Sequence, residues 1–245
     1  KHLLELEDPV FEFNRQIIAA TQDLCVAYKP NLAFYESQGW QGWRTLEKTM
    51  ALIPSDVFTI ADAKRGDIGN TARKYAEAFY DKLGVDAVTI APYMGRDSVE
   101  PFLGRPGKWG VVLGVTSNDG ARDLQFLTVD GGEQRLFERV MEKAASWGSV
   151  EDTMFVVGAT RAEVLAQART AAPHHFFLVP GVGAQGGDLK AVLDAGLTAD
   201  GGLLINSSRG ILYAGKDADA IPAARRAALH MRDVMALKLR ERGII

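Results

Sequence analysis

The chain has 245 residues, 47% hydrophobic and 24% charged, the balance of a globular protein with a sizeable core. Its 28 basic and 31 acidic residues leave a net charge of −3, which argues against general affinity for nucleic acid but leaves room for a local anion site. The single cysteine, Cys25, excludes an intrachain disulfide, and neither a membrane-length apolar run nor a signal-peptide core is visible, so a soluble cytoplasmic protein is expected.

A helical pattern over 10–23 leads into the apolar run LCVAYKP (24–30), and a second over 39–51 leads into VFTIADA (57–63). In IGNTARKYAEAFYDKL the residues Ile68, Ala72, Tyr75, Ala76, Phe79 and Leu83 mark one helical face, with Gly84 where a helix would end. The runs AVTIAPY (87–93) and GVVLGVT (110–116) follow, then a patternless connection over 118–133. The last third alternates helices at 134–147, 161–171, 187–195 and 219–241 with strands at 153–159, 176–182 and 202–208.

The strand runs are continuously apolar rather than alternating, as in parallel strands covered on both faces. No linker or composition break divides the chain, which reads as one α/β domain over 1–245. Strand–helix alternation predicts a (β/α)8 TIM barrel, with seven strands visible and the first expected to precede Lys1. The competing open, doubly wound sheet calls for a glycine-rich turn after its first strand, and none is present.

In such barrels the chemistry sits at the C-terminal ends of the strands. There, FTIADAKRGDIGN carries Asp62, Lys64, Arg65 and Asp67 within six residues. Asp62 and Lys64 share a face of an extended chain, and Lys29 ends the preceding strand in register with the small residues Cys25 and Ala27. Lys29, Asp62 and Lys64 are therefore expected to converge, since charge at the end of a buried strand is costly unless paired or used. Asp67 either joins them or caps the next helix, and Arg65, of opposite parity, is assigned to the surface.

A second group follows the last two strands. VPGVGAQGGDL (179–189) and INSSRG (205–210) combine close-approach glycines with Gln185 and Arg209, and the helix after the first loop could offer free N–H groups to a phosphate. Ser117 and Asn118, after strand 110–116, could bond a substrate ring or merely form a turn. His174 and His175 precede a strand and read as a surface turn. Trp40, Trp43, Trp109 and Trp147 read as packing residues, and Cys25 as a small buried hydrophobe. No metal-ligand spacing, Walker motif or nucleophile elbow is present.

Taken together, CVAYKPNLAFYE, FTIADAKRGDIGNTA, IAPYMGRDS, VTSNDG, FVVGAT, VPGVGAQGGD and NSSRGILYA resemble the orotidine 5′-monophosphate decarboxylase family, in its longer bacterial branch. The resemblance implies a cofactor-free conversion of orotidine 5′-monophosphate (OMP) to UMP and CO2 in pyrimidine biosynthesis. It assigns Lys29, Asp62, Lys64 and Asp67 to an alternating Lys-Asp-Lys-Asp network, with Lys64 as proton donor. It further implies a homodimer in which Asp67 and Thr71 serve the other subunit's site. Gln185 and Arg209 would bind the 5′-phosphate and Ser117 the pyrimidine. Two departures stand out: the family's first strand, with a ribose-binding aspartate, is absent here, and Asp119 occupies a position commonly held by proline. The alternatives are a metal-dependent phosphosugar decarboxylase or aldolase of the same barrel group, disfavoured by Lys29 where those hold a carboxylate, and a non-catalytic nucleotide-binding barrel.

Overall fold

The computed structural model describes residues 2–129, 131–158, 161–182 and 188–245. In chain order the elements are α1 (Pro9–Thr21), β1 (Ala27–Tyr28), α2 (Ala33–Glu36), α3 (Gly39–Met50), β2 (Phe58–Arg65), α4 (Gly69–Ala76), β3 (Ala87–Ile90), α5 (Arg96–Val99) and β4 (Trp109–Val115). They continue with α6 (Ala121–Leu124), α7 (Leu136–Ala145), β5 (Thr153–Val157), α8 (Ala162–Ala171), β6 (Phe176–Pro180), α9 (Leu189–Gly196), β7 (Leu203–Asn206), α10 (Arg209–Leu212) and α11 (Ala220–Glu241). The predicted long helices and strands are all present. The short helices α2, α5, α6 and α10 escape a periodicity reading because a single turn shows no repeat.

Local chemistry sets the ends. The Asp8 carboxylate caps α1 by accepting the Phe11 N–H (3.1 Å), and Pro9 supplies a first helical residue that needs no donor. The same carboxylate accepts from Thr45 (2.9 Å) and Lys48 (2.8 Å), tying α1 to α3. Helix α4 passes directly into a wider π-helical segment, Glu77–Lys82, so the predicted helix is continuous but not uniform.

Among the described residues the seven strands form one parallel sheet in the order β1 to β7. The sheet curls, because a single cavity takes lining from the ends of β1 through β6. Inside the curl, Phe58 and Ile60 of β2, Ala87 of β3, Trp109, Val111 and Leu113 of β4, Met154 and Val156 of β5, Phe176 and Leu178 of β6 and Leu204 of β7 pack as an apolar plug. Outside it, the opposite-facing residues, among them Val88, Ile90, Val112, Phe155 and Phe177, meet the helices. Strands β2 to β6 thus have two buried faces, which is why their sequences read as continuous apolar runs. This is the architecture of a (β/α)8 TIM barrel.

Two expectations fail at the lower end and rim. His175 is buried at 7% exposure, edge-on to Phe155 with ring centroids 5.4 Å apart, rather than lying on a surface turn. Trp40 is 67% exposed and Trp43 40%, so neither is a core residue. Both differences reflect which neighbours tertiary packing supplies.

Candidate active site

The site stands directly on the apolar plug. One layer above Ile60 and Ala87, the inward positions of β2 and β3 become Asp62 and Thr89, buried at 9% and 1% exposure. Beyond Tyr28 the chain stays alongside β2: the Asp62 N–H donates to the Pro30 carbonyl (3.0 Å) and the Leu32 N–H to that of Asp62 (3.2 Å). This lateral pairing brings Lys29 to Asp62.

The Lys29 Nζ donates to Asp62 Oδ2 at 2.6 Å and the Lys64 Nζ to Asp62 Oδ1 at 2.5 Å. The lysines differ in setting: the Lys29 side chain is 10% exposed and that of Lys64 47%. Burial, the largest single influence on Asp62, pushes its carboxyl upward. The charges and hydrogen bonds of Lys29 and Lys64 together outweigh it and hold the group below the usual carboxylate value.

The backbone around Lys64 is not the regular extended chain that residue alternation assumes. Ala61 pairs with Val88 and Arg65 with Ile90, so four steps along β2 match two along β3. The excess forms a bulge, and Lys64 takes the left-handed conformation at φ 47°. The Lys64 N–H donates to Thr89 Oγ1 (2.9 Å), and that hydroxyl donates to Asp62 Oδ1 (3.2 Å). Thr89 was missed by the sequence reading; its only signal is a hydroxyl inside the otherwise apolar run AVTIAPY.

Lys29, Asp62, Lys64 and Thr89 line one side of a cavity of about 170 Å³. Leu113, Val115, Val156, Leu178 and Pro180 form its apolar wall, and Thr116, Ser117, Asn118 and Gly158 its far rim. The Gln125 side chain accepts the Thr116 N–H and donates to its hydroxyl, both at 2.8 Å, and that hydroxyl donates to Asn118 Oδ1 at 2.6 Å. The 118–133 connection therefore anchors the rim that carries Ser117. Gly158 is required there: a Cβ would lie 2.8 Å from the Ser117 nitrogen and 3.0 Å from its Cβ.

Other predicted residues stand apart. Asp67 accepts the neighbouring Ile68 N–H (2.8 Å), whereas the N-cap of α4 is Ile68, so Asp67 is not the cap. No described contact joins it to Asp62 or to either lysine. Thr71 is exposed in the first turns of α4. Arg209 opens α10 just past β7, exposed and without an ion pair among the described residues. Gln185 lies outside the described residues. At the start of α9 the Asp188 carboxylate accepts from the Lys190 N–H at 2.8 Å, which takes one of the donors that helix end could offer an anion. Arg65 faces away from the cavity but is no surface side chain. Its guanidinium packs against Tyr75 and Phe79 and pairs with Glu36.

A family model described as "Orotidine 5'-phosphate decarboxylase / HUMPS family" matches residues 11–224. An orotidine 5′-phosphate decarboxylase of Parabacteroides distasonis is 53% identical across 100% of this chain and 88% of its own length. One from Bacteroides fragilis is 51% identical across 98% and 88%. Among solved structures, OMP decarboxylase of Leishmania donovani is 42% identical with a TM-score of 0.83, covering 92% of this chain and 88% of that one. With matches of this extent, the chain belongs to the orotidine 5′-phosphate decarboxylase / HUMPS family.

Proposed function

We infer that the chain is an orotidine 5′-monophosphate decarboxylase, a carboxy-lyase of pyrimidine biosynthesis that converts OMP to UMP and CO2 without a cofactor. The observation that carries the cofactor-free reading is Asp62 gripped by two ammonium groups at the floor of an apolar-walled cavity. Both carboxylate oxygens are taken by cations, an arrangement that repels a divalent metal rather than ligating one.

The chemistry follows from charge. Breaking the bond from C6 to the carboxylate leaves its electron pair on C6 as CO2 departs, with no ring position to delocalise it. The Lys64 ammonium, fixed before the reaction begins, stabilises that charge and then donates its proton to C6. Lys29 and Asp62 hold Lys64 in place, and Asp62 lies where it repels the departing carboxylate. Arg209, with Gln185, grips the 5′-phosphate, and binding energy gained there helps assemble the site around the pyrimidine at Ser117.

The functional unit in this reading is a cytoplasmic homodimer of one barrel domain spanning 1–245, with Asp67 and Thr71 completing the neighbouring subunit's site. Support comes from the lack of any described contact between Asp67 and its own chain's array. Further support comes from the apolar Phe34 (73% exposed), Ile68 (52%), Tyr93 (87%) and Met94 (49%), carried on segments following the adjacent strands β1, β2 and β3. A cytoplasmic setting suits a phosphorylated substrate that does not cross membranes unaided.

Loss of OMP absorbance, measured with and without exhaustive chelation, tests the reading. Turnover should survive chelation. Activity restored only by magnesium would favour the metal-dependent branch, and UMP binding without OMP consumption would favour a binding barrel.

A further inference from the structure

Among the described residues, Thr89 is the one buried side chain that hydrogen-bonds both the backbone of Lys64 and the carboxylate of Asp62. Its hydroxyl accepts the Lys64 N–H at 2.9 Å and donates to Asp62 Oδ1 at 3.2 Å, the same oxygen that receives the Lys64 ammonium at 2.5 Å. Three residues therefore close a ring of four groups: backbone N–H of Lys64, hydroxyl of Thr89, carboxylate of Asp62, ammonium of Lys64. This ring coincides with the β2 bulge, where Lys64 adopts a positive φ that a long side chain rarely takes. A sparsely populated backbone conformation persists only where its surroundings hold it, and here the partner of the strained residue's amide is a side chain of the next strand.

We propose that Thr89 is a positioning residue for decarboxylation: its hydroxyl locks the β2 bulge and orients Asp62, so that the Lys64 ammonium is aimed into the cavity before substrate arrives. The proposal rests on the assignment of Lys64 as proton donor. Thr89 supplies no proton to the reaction; it fixes the residue that does. Without the hydroxyl, the Lys64 amide and Asp62 Oδ1 each lose a partner, and the Lys64 side chain, nearly half exposed, has room to leave its direction.

The experiment compares Thr89→Val, which keeps shape and removes the hydroxyl, with Thr89→Ser, which keeps the hydroxyl, alongside Lys64→Ala. Steady-state OMP turnover is measured with equilibrium binding of UMP. Misplacing a reacting group by an ångström costs on the order of 100-fold, so kcat of Thr89→Val should fall by roughly 10- to 100-fold, with UMP affinity within about threefold of the unmodified enzyme. Thr89→Ser should recover most of that loss. Thr89→Ala, which puts no methyl against the Lys64 amide, is a second hydroxyl-free variant and must show the same split if Thr89→Val does not fold. Near-normal kcat without the hydroxyl, a serine variant as impaired as valine, or equal losses of kcat and UMP affinity would each overturn the role of Thr89. An active Lys64→Ala would instead overturn the proton-donor assignment, and this role with it.

Discussion

Asp62 is the hub on which the charged array depends. With Lys29 almost fully enclosed and tied to it at 2.6 Å, removal of the carboxylate charge strands an ammonium in a poorly solvated place. Breaking one partner of a buried pair costs about 3–5 kcal/mol. Asp62→Asn should therefore lower the unfolding free energy at pH 7 by an amount of that order, read from chemical denaturation. Because its folded carboxyl lies below 3.8, Asp62 contributes stability above that pH and loses it as acid drives the group through its depressed folded value. The variant should accordingly show a shallower acid limb below about pH 4. Arg209 is the contrasting case, exposed and without an ion pair among the described residues. Arg209→Ala should leave melting unchanged while removing a charge-assisted phosphate contact of about 1.5–3 kcal/mol. The corresponding loss of kcat/KM should appear with OMP and not with a substrate lacking the phosphate; equal losses on both would contradict phosphate recognition.

Between elements, close approaches matter more than propensity. Gly158 lets the ends of β4 and β5 meet beside Ser117, and an added methyl there meets backbone, which cannot rotate away. Gly158→Ala should destabilise the protein by about 1–3 kcal/mol and weaken UMP binding, both from displacement of the Ser117 segment. At the opposite end of the barrel, Arg169 donates to the carbonyls of Ala172, His175, Gly196 and Gly202 at 2.6–3.1 Å and stacks over Phe177 at 3.7 Å. Burial without a counter-charge pushes the guanidinium down to about 10. A lysine cannot reproduce this planar fork, so Arg169→Lys should melt at a lower temperature despite the conserved charge. His175 sits beside it with both ring nitrogens buried and unpartnered. Burial, reinforced by Arg169, depresses its basicity below 6.5. The unfolded chain thus binds a proton that the folded one refuses, and the resulting stability, complete above pH 6.5, is lost as pH falls toward the depressed folded value. Thermal unfolding followed from pH 7.5 to 5 should show this slope, and His175→Leu should flatten it.

At the scale of the whole molecule, the proposed sharing of sites between subunits has an arithmetic signature. Lys64→Ala and Asp67→Asn should each be nearly inactive yet folded by circular dichroism. In a mixed dimer, one site carries both lesions and the other neither. Random pairing of equal subunits should therefore restore about a quarter of normal activity. If each site used its own Asp67, every site would stay damaged and the mixture would remain inactive.

Continuous apolar strands, helices with a single apolar face and charges at strand ends are local properties, so the sequence by itself determined the α/β alternation and the strand-end location of Lys29, Asp62 and Lys64. Composition likewise excluded an intrachain disulfide among these residues. Features depending on neighbours distant in sequence were decided only by tertiary structure. The bulge at Lys64 is one, because it exists as a mismatch between β2 and β3. Thr89 is another: a threonine in an apolar run is an ordinary strand residue until the bulge opposite supplies an amide and a carboxylate. Arg65 and His175 make the same point, their parity and position being legible but not the aromatic rings that receive them. Periodicity records which face a residue takes, whereas the partner on that face is fixed only when the sheet curls.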